Sequence, residues 1–222
     1  MKRYELTIGD VFPADDPVAR WLVTISVGLN DVLFANKKYA AGDRDFENLY
    51  FFRLASTHLW ELSKFISQTH GAWEEVQQFV DGLTEGGREH FEAIKQIATT
   101  GDLSTVGTEL VQIRDLFGHY QEMDSQERDR ARDPLAKALG ELAAETGDIE
   151  LGEVVAELRL GYADGVVAQT VMRLMPEEAD QERVLGNLAE GVGHVLQFVQ
   201  LAVDAWLEPR MEMLREVDAA GE

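Results

Sequence analysis

The chain contains no cysteine, which excludes disulfides, thiolate metal sites and a cysteine nucleophile. It has five histidines in 222 residues, so imidazole chemistry has few places to sit. Basic residues are scarce: 20 Lys and Arg stand against 41 Asp and Glu, a formal charge of −21. Long apolar runs are missing too. The longest weakly charged stretch, Trp21 to Asn30, is too short to span a bilayer. Nor does an apolar run of signal-peptide length follow Met1-Lys2-Arg3-Tyr4-Glu5. These absences predict a soluble, cytoplasmic protein in a reducing compartment, with no membrane association.

Known catalytic and metal motifs are absent as well. There is no His-Glu-x-x-His, phosphate-binding glycine loop, Gly-x-Ser-x-Gly or calcium loop. A di-iron bundle needs an acid three residues before its histidines. Those positions hold Ala55, Ser67, Gly87, Leu116 and Gly191. Neither a metal nor a cofactor is implied.

What is present is ample apolar material, 45% of the residues, enough for one large packed interior. The negative charge is uneven. Residues 1–60 carry 7 Lys/Arg and 8 Asp/Glu, a net of −1, whereas residues 61–222 carry 13 and 33, a net of −20. Such a field repels nucleic acid at long range and suits a basic protein partner.

Read along the chain, the pattern is helix after helix. Tyr4, Leu6 and Ile8 alternate, as in a short strand or an extended arm. Asp15-Asp16-Pro17 opens a helix with an acidic cap and a proline in the first turn, running to about Lys38. A second helix begins near Asp43 or Asp45. Its Phe52, Ala55, Leu59, Leu62 and Ile66 repeat at 3, 4, 3 and 4, a seam for helix packing. Shorter helices are expected over Trp73–Leu83 and Arg88–Ala98, punctuated by Gly86-Gly87. Val106, Leu110, Ile113, Phe117 and Tyr120 mark the core face of another, and Glu127–Glu145 fits one more. Residues 154–174 read either as a β-hairpin with an Asp164-Gly165 turn or as a strand leading into a helix. A long helix follows from Asp180 to Leu207, stopped or bent at Pro209. The expected class is all-α, a helical bundle with at most a small β element.

One segment carries the material for chemistry: Arg114-Asp115-Leu116-Phe117-Gly118-His119-Tyr120. Cleavage of RNA by its own 2′-hydroxyl needs a proton acceptor poised near neutral pH, which histidine supplies. It also needs a fixed cation on the phosphoryl oxygens, which arginine supplies with a rigid fork of donors. Positions five apart sit roughly 140° apart around a helix, so Arg114 and His119 do not share a face. Asp115 and His119, four apart, do, and Asp115 is placed to hold the imidazole.

Arg-x4-His with a polar residue after the arginine resembles the signature of the HEPN superfamily. These are helical-bundle proteins, many of them metal-independent RNases of toxin and phage-defence systems. The likeness is specific over about seven residues and architectural over roughly Asp15–Asp124. It implies a HEPN-like helical core with a short N-terminal arm over 1–124. Residues 125–222 would form a C-terminal helical extension packed on that core. It also implies a homodimer with the site at the interface, and catalytic roles for Arg114, Asp115 and His119. Tyr120, Arg128, Arg130 and Arg132 lie close enough in sequence to touch RNA. The arginines are interleaved with Glu127, Asp129 and Asp133, which also suits a salt-bridged solvent face.

Other candidates read as structural. Arg53 and His58 fit the same spacing, but an apolar Leu54 follows the arginine and the segment is mid-helix. Lys37, Lys38 and Arg44 cluster at a helix end where cations are favoured. Trp21, Trp60, Trp73 and Trp206 sit in apolar helical stretches and are expected in the core. His194 is expected to pack or to cap. Two functions follow: a metal-independent endoribonuclease, or a non-catalytic helical interaction protein of a toxin–antitoxin or defence complex.

Overall fold

The computed structural model describes residues 3–41, 45–99 and 178–217. Among them are six α-helices, one 3-10 turn and a two-stranded sheet. The chain is an all-α helical bundle. Strand β1 (Arg3–Leu6) pairs antiparallel with β2 (Leu214–Val217), in a register that sets Leu6 against Leu214 and Glu5 against Arg215. Between them come α1 (Ile8–Val11), α2 (Pro17–Ala41), α3 (Asp45–Ala72), α4 (Glu74–Asp81), α5 (Glu85–Ala98), α6 (Glu178–Leu207) and the 3-10 turn Glu208–Met213. The small β element expected at 154–174 lies outside the described residues, and so does the helix expected at Glu127–Glu145.

Local chemistry sets the helix starts. The Asp16 carboxylate accepts from the backbone N–H of Val18 (2.8 Å) and Ala19 (3.0 Å), satisfying two donors that the first turn of α2 leaves open. Thr84 does the same for α5, its hydroxyl accepting from Gly87 N–H at 3.3 Å. Gly86 and Gly87 therefore lie inside the first turn of α5 and do not separate two helices, contrary to the punctuation expected of them. A good cap outweighs the modest helix cost of two glycines in a first turn.

Four helices surround one core. Trp21, early in α2, meets Thr69, late in α3, while Tyr39 meets Phe52 at the other end, so α2 and α3 run antiparallel. The His70–Phe91 contact, with Leu59 and Ile97 both beside Gly191, sets α3 against α5 in the same sense. Phe91 against Phe198 and Ile97 against Gly191 do so for α5 and α6. The result is an up-down-up-down bundle. The predicted α3 seam of Phe52, Ala55, Leu59, Leu62 and Ile66 is buried throughout. Leu22, Ile25 and Val32 from α2, Ile94 and Ile97 from α5, and Leu188, Val195 and Phe198 from α6 complete the core.

Aromatic rings close one end. Trp21 meets Phe79 and Phe198 edge-on, each at 6.2 Å, and Phe79 meets Trp206 in the same way. The indole N–H groups of Trp21 and Trp206 find acceptors, Thr69 Oγ1 for Trp21 and the Val11 carbonyl for Trp206, both at 2.9 Å. Ring faces and edges supply the packing, and these two polar tips stay paired. Trp60, mid-way along α3, is also buried, whereas Trp73 is 39% exposed at the start of α4. Trp73 precedes the helix in extended conformation, so its side chain is not carried on α4's apolar face.

Candidate functional site

Among the described residues, the closest approach of titratable side chains from different helices joins α5 to α6. His90 and His194 stand 104 positions apart in sequence, yet their Nδ1 atoms are 3.0 Å apart. Both residues lie one position before a core residue, Phe91 and Val195, at the rim of their helices' apolar faces. This edge position leaves the imidazoles half-buried, close enough to meet and still wet. On its far side, His194 Nε2 lies 3.7 Å from Glu190 Oε1, one helical turn back.

The geometry defines what the pair can do. A hydrogen bond between two Nδ1 atoms needs one N–H and one lone pair, so the rings must hold opposite tautomers. Either ring can be the donor. The ring centres are 5.2 Å apart against 3.0 Å between the nitrogens, so the nitrogens point at each other. A metal would need them aimed at a common third point. No group of three or more acidic or imidazole ligands able to hold a metal is present among the described residues. The pair is suited to sharing a proton and to tying α5 to α6.

A third histidine is structural. His70 packs on the Phe91 ring at 4.4 Å and lies 3.4 Å from Asp81, joining α3, α4 and α5. The outer face of α5 bears a shallow, open hollow lined by Glu85, Arg88, Glu89, Glu92, Ala93 and Gln96. Three carboxylates against one guanidinium make it unsuited to a phosphate.

No known protein family, curated protein or solved structure matches the chain.

The residues singled out in the sequence fall in two groups. Arg114, Asp115, His119, Tyr120, Arg128, Arg130 and Arg132 lie outside the described residues, as does Arg44. Arg53 and His58 lie mid-helix on α3, both half-buried. Lys37 and Lys38 are exposed at the end of α2, with the Lys38 ammonium 5.7 Å from the centre of the Phe34 ring. His194, expected to pack or cap, instead meets His90. Periodicity finds each histidine's helix face, but nothing in a single sequence pairs two residues 104 positions apart.

Proposed function

We propose that this chain is a HEPN-like, metal-independent endoribonuclease. The observation that carries the reading is Arg114-Asp115 followed at His119 by an imidazole, a cation, an orienting acid and a proton acceptor within six residues. The antiparallel all-α bundle supports it as a rigid scaffold of the implied kind. His119 takes the proton of a 2′-hydroxyl, and the oxygen attacks the adjacent phosphorus. Arg114 balances the charge that builds on the phosphoryl oxygens, and Asp115 holds the imidazole. The 5′-oxygen departs with the proton that His119 took up, leaving a 2′,3′-cyclic phosphate and a 5′-hydroxyl. Tyr120, Arg128, Arg130 and Arg132 contact the substrate.

A second reading is favoured by charge. A net of −20 over residues 61–222 suits a basic protein partner better than RNA, and describes a non-catalytic subunit of a toxin–antitoxin or defence complex.

Purified protein assayed on several RNAs in EDTA separates the two. Wild type should cleave and leave cyclic phosphate ends, and His119→Ala should lose about 10²–10⁴ in rate with its fold intact. His90→Ala should cleave like wild type, because the imidazole pair is assigned a structural part. Absence of cleavage on every RNA would leave the interaction protein as the standing reading.

A further inference from the structure

Among the described histidines, His90 and His194 alone are paired with another imidazole. The 3.0 Å between their Nδ1 atoms is a hydrogen-bond distance, and it requires a proton on one nitrogen and a lone pair on the other. Two neutral rings satisfy this. So do one imidazolium and one neutral ring, whose bond is charge-assisted and stronger. Two imidazoliums do not. Both Nδ1 atoms then carry hydrogen, neither has a lone pair, and two positive rings face each other. The contact therefore tolerates one added proton and not two.

The charges described around the pair do not lift that limit. Glu190 lies 3.7 Å from Nε2 of His194, on the far edge of the ring, so it can offset one positive charge but cannot enter the space between the Nδ1 atoms. The other positions one turn away are uncharged: Gly86, Gly87, Ala93 and Ile94 about His90, and Gly191, Gln197 and Phe198 about His194. On α5, Arg88, Glu89 and Glu92 line the outer hollow. From α4, Asp81 is engaged by His70 at 3.4 Å. On α3, Lys64 lies over the Trp60 ring and Glu61 is exposed. Helix α2 meets α6 through Trp21 and Phe198, and Arg20 beside that contact is exposed.

We propose that the His90–His194 pair is an acid-sensitive latch between α5 and α6, closed with at most one added proton and opened by the second. The seam beside it is apolar, Phe91 against Phe198 at 5.8 Å and Ile97 against Gly191. The latch sits at the rim of that seam, so its release weakens the helix pair without emptying the core. Free imidazoles take up protons near pH 6.5, at about the value of an unperturbed side chain. Below it the unfolded chain accepts both protons and the closed pair only one. The unfolded state then binds more protons, so stability falls as pH falls. The latch is independent of Arg114 and His119 and holds whether or not the chain cuts RNA.

Urea unfolding of the full chain at pH 7.5 and at pH 5, wild type beside His90→Gln, is the test. Glutamine offers both an N–H and a carbonyl, so it pairs with a neutral or a charged His194. Between the two pH values the folded-to-unfolded ratio of wild type should fall roughly tenfold further than that of His90→Gln. The carboxylates and the other histidines are common to both chains and cancel in the comparison. Nitrogen-15 NMR of the histidine side chains in wild type gives a second readout that needs no variant. At pH 7.5 one ring of the pair should carry its proton on Nδ1 and the other on Nε2. On acidification the pair should take up its two protons in separate steps. Equal pH dependence of the two chains overturns the latch. So do two rings that both hold their proton on Nε2 at pH 7.5, or that charge together in one step.

Discussion

Two serines on α3 carry opposite energetic signs. Ser56 and Ser63 are both fully buried and sit seven residues apart, on one helix face. The Ser56 hydroxyl donates to the Phe52 carbonyl at 2.8 Å. The Ser63 hydroxyl has no hydrogen-bond partner, so folding strips it of water without return. Ser63→Ala removes that penalty and adds helix propensity, and should stabilise the protein by about 1 kcal/mol. Ser56→Ala removes a formed bond along with its donor and should change stability by less than about 0.5 kcal/mol, the propensity gain offsetting the loss. Urea unfolding of the two variants beside wild type decides it. A destabilised Ser63→Ala would show that the hydroxyl is satisfied. The same reasoning explains Thr69, whose hydroxyl donates to the Phe65 carbonyl while accepting from Trp21. Thr69→Val would leave a buried indole N–H unpaired.

At the level of the element, three helices of the bundle crowd together at one glycine. A methyl group at Gly191 on α6 would lie 2.9 Å from Leu59 Cδ2 on α3 and 3.3 Å from Ile97 Cδ1 on α5. Leu59 is fully buried and Ile97 nearly so, so neither can move without disturbing its neighbours. At Gly186, five residues earlier on the same helix, the same methyl would meet nothing. Gly186→Ala should therefore gain about 0.5–1 kcal/mol from helix propensity alone. Gly191→Ala should forfeit that gain and cost about 1 kcal/mol net through overpacking. Melting curves of the pair check the prediction, and equal stabilisation of both would mean that the three-helix contact is loose. Much of this level was legible beforehand. The 3-4-3-4 seam of α3 and the Asp16-Pro17 start of α2 were readable because each depends on residues within a turn or two. The start of α5 was misjudged at Gly86-Gly87 because the capping Thr84 outweighs glycine's cost. What periodicity could not supply was the partner of each face. That is why the sequence does not reveal the His90–His194 contact. The proposed catalytic residues, Arg114, Asp115 and His119, are local in sequence and needed no assembly to be noticed.

Across the whole molecule, charge is the dominant long-range term. The chain carries −21, and the described ion pairs do little against it. Lys95 with Glu92 at 3.0 Å and His70 with Asp81 at 3.4 Å are surface contacts of the kind worth about 0–1 kcal/mol each. Like charges crowded on a folded surface relax when the chain expands, so self-repulsion lowers the stability of the compact state. Added salt shortens the Debye length from about 30 Å at 0.01 M to about 8 Å at 0.15 M, below the span of the bundle. Repulsion between distant carboxylates is then screened, while contacts at hydrogen-bond distance persist. The melting temperature should accordingly rise by roughly 2–4 °C between those two concentrations of sodium chloride, the shift expected for about 1 kcal/mol in a chain of this size. A scanning calorimetry series at one protein concentration tests it. A melting temperature that falls over the same range would mean that attractive pairs outweigh repulsion, and that the acidic residues are arranged in networks with the chain's 20 Lys and Arg.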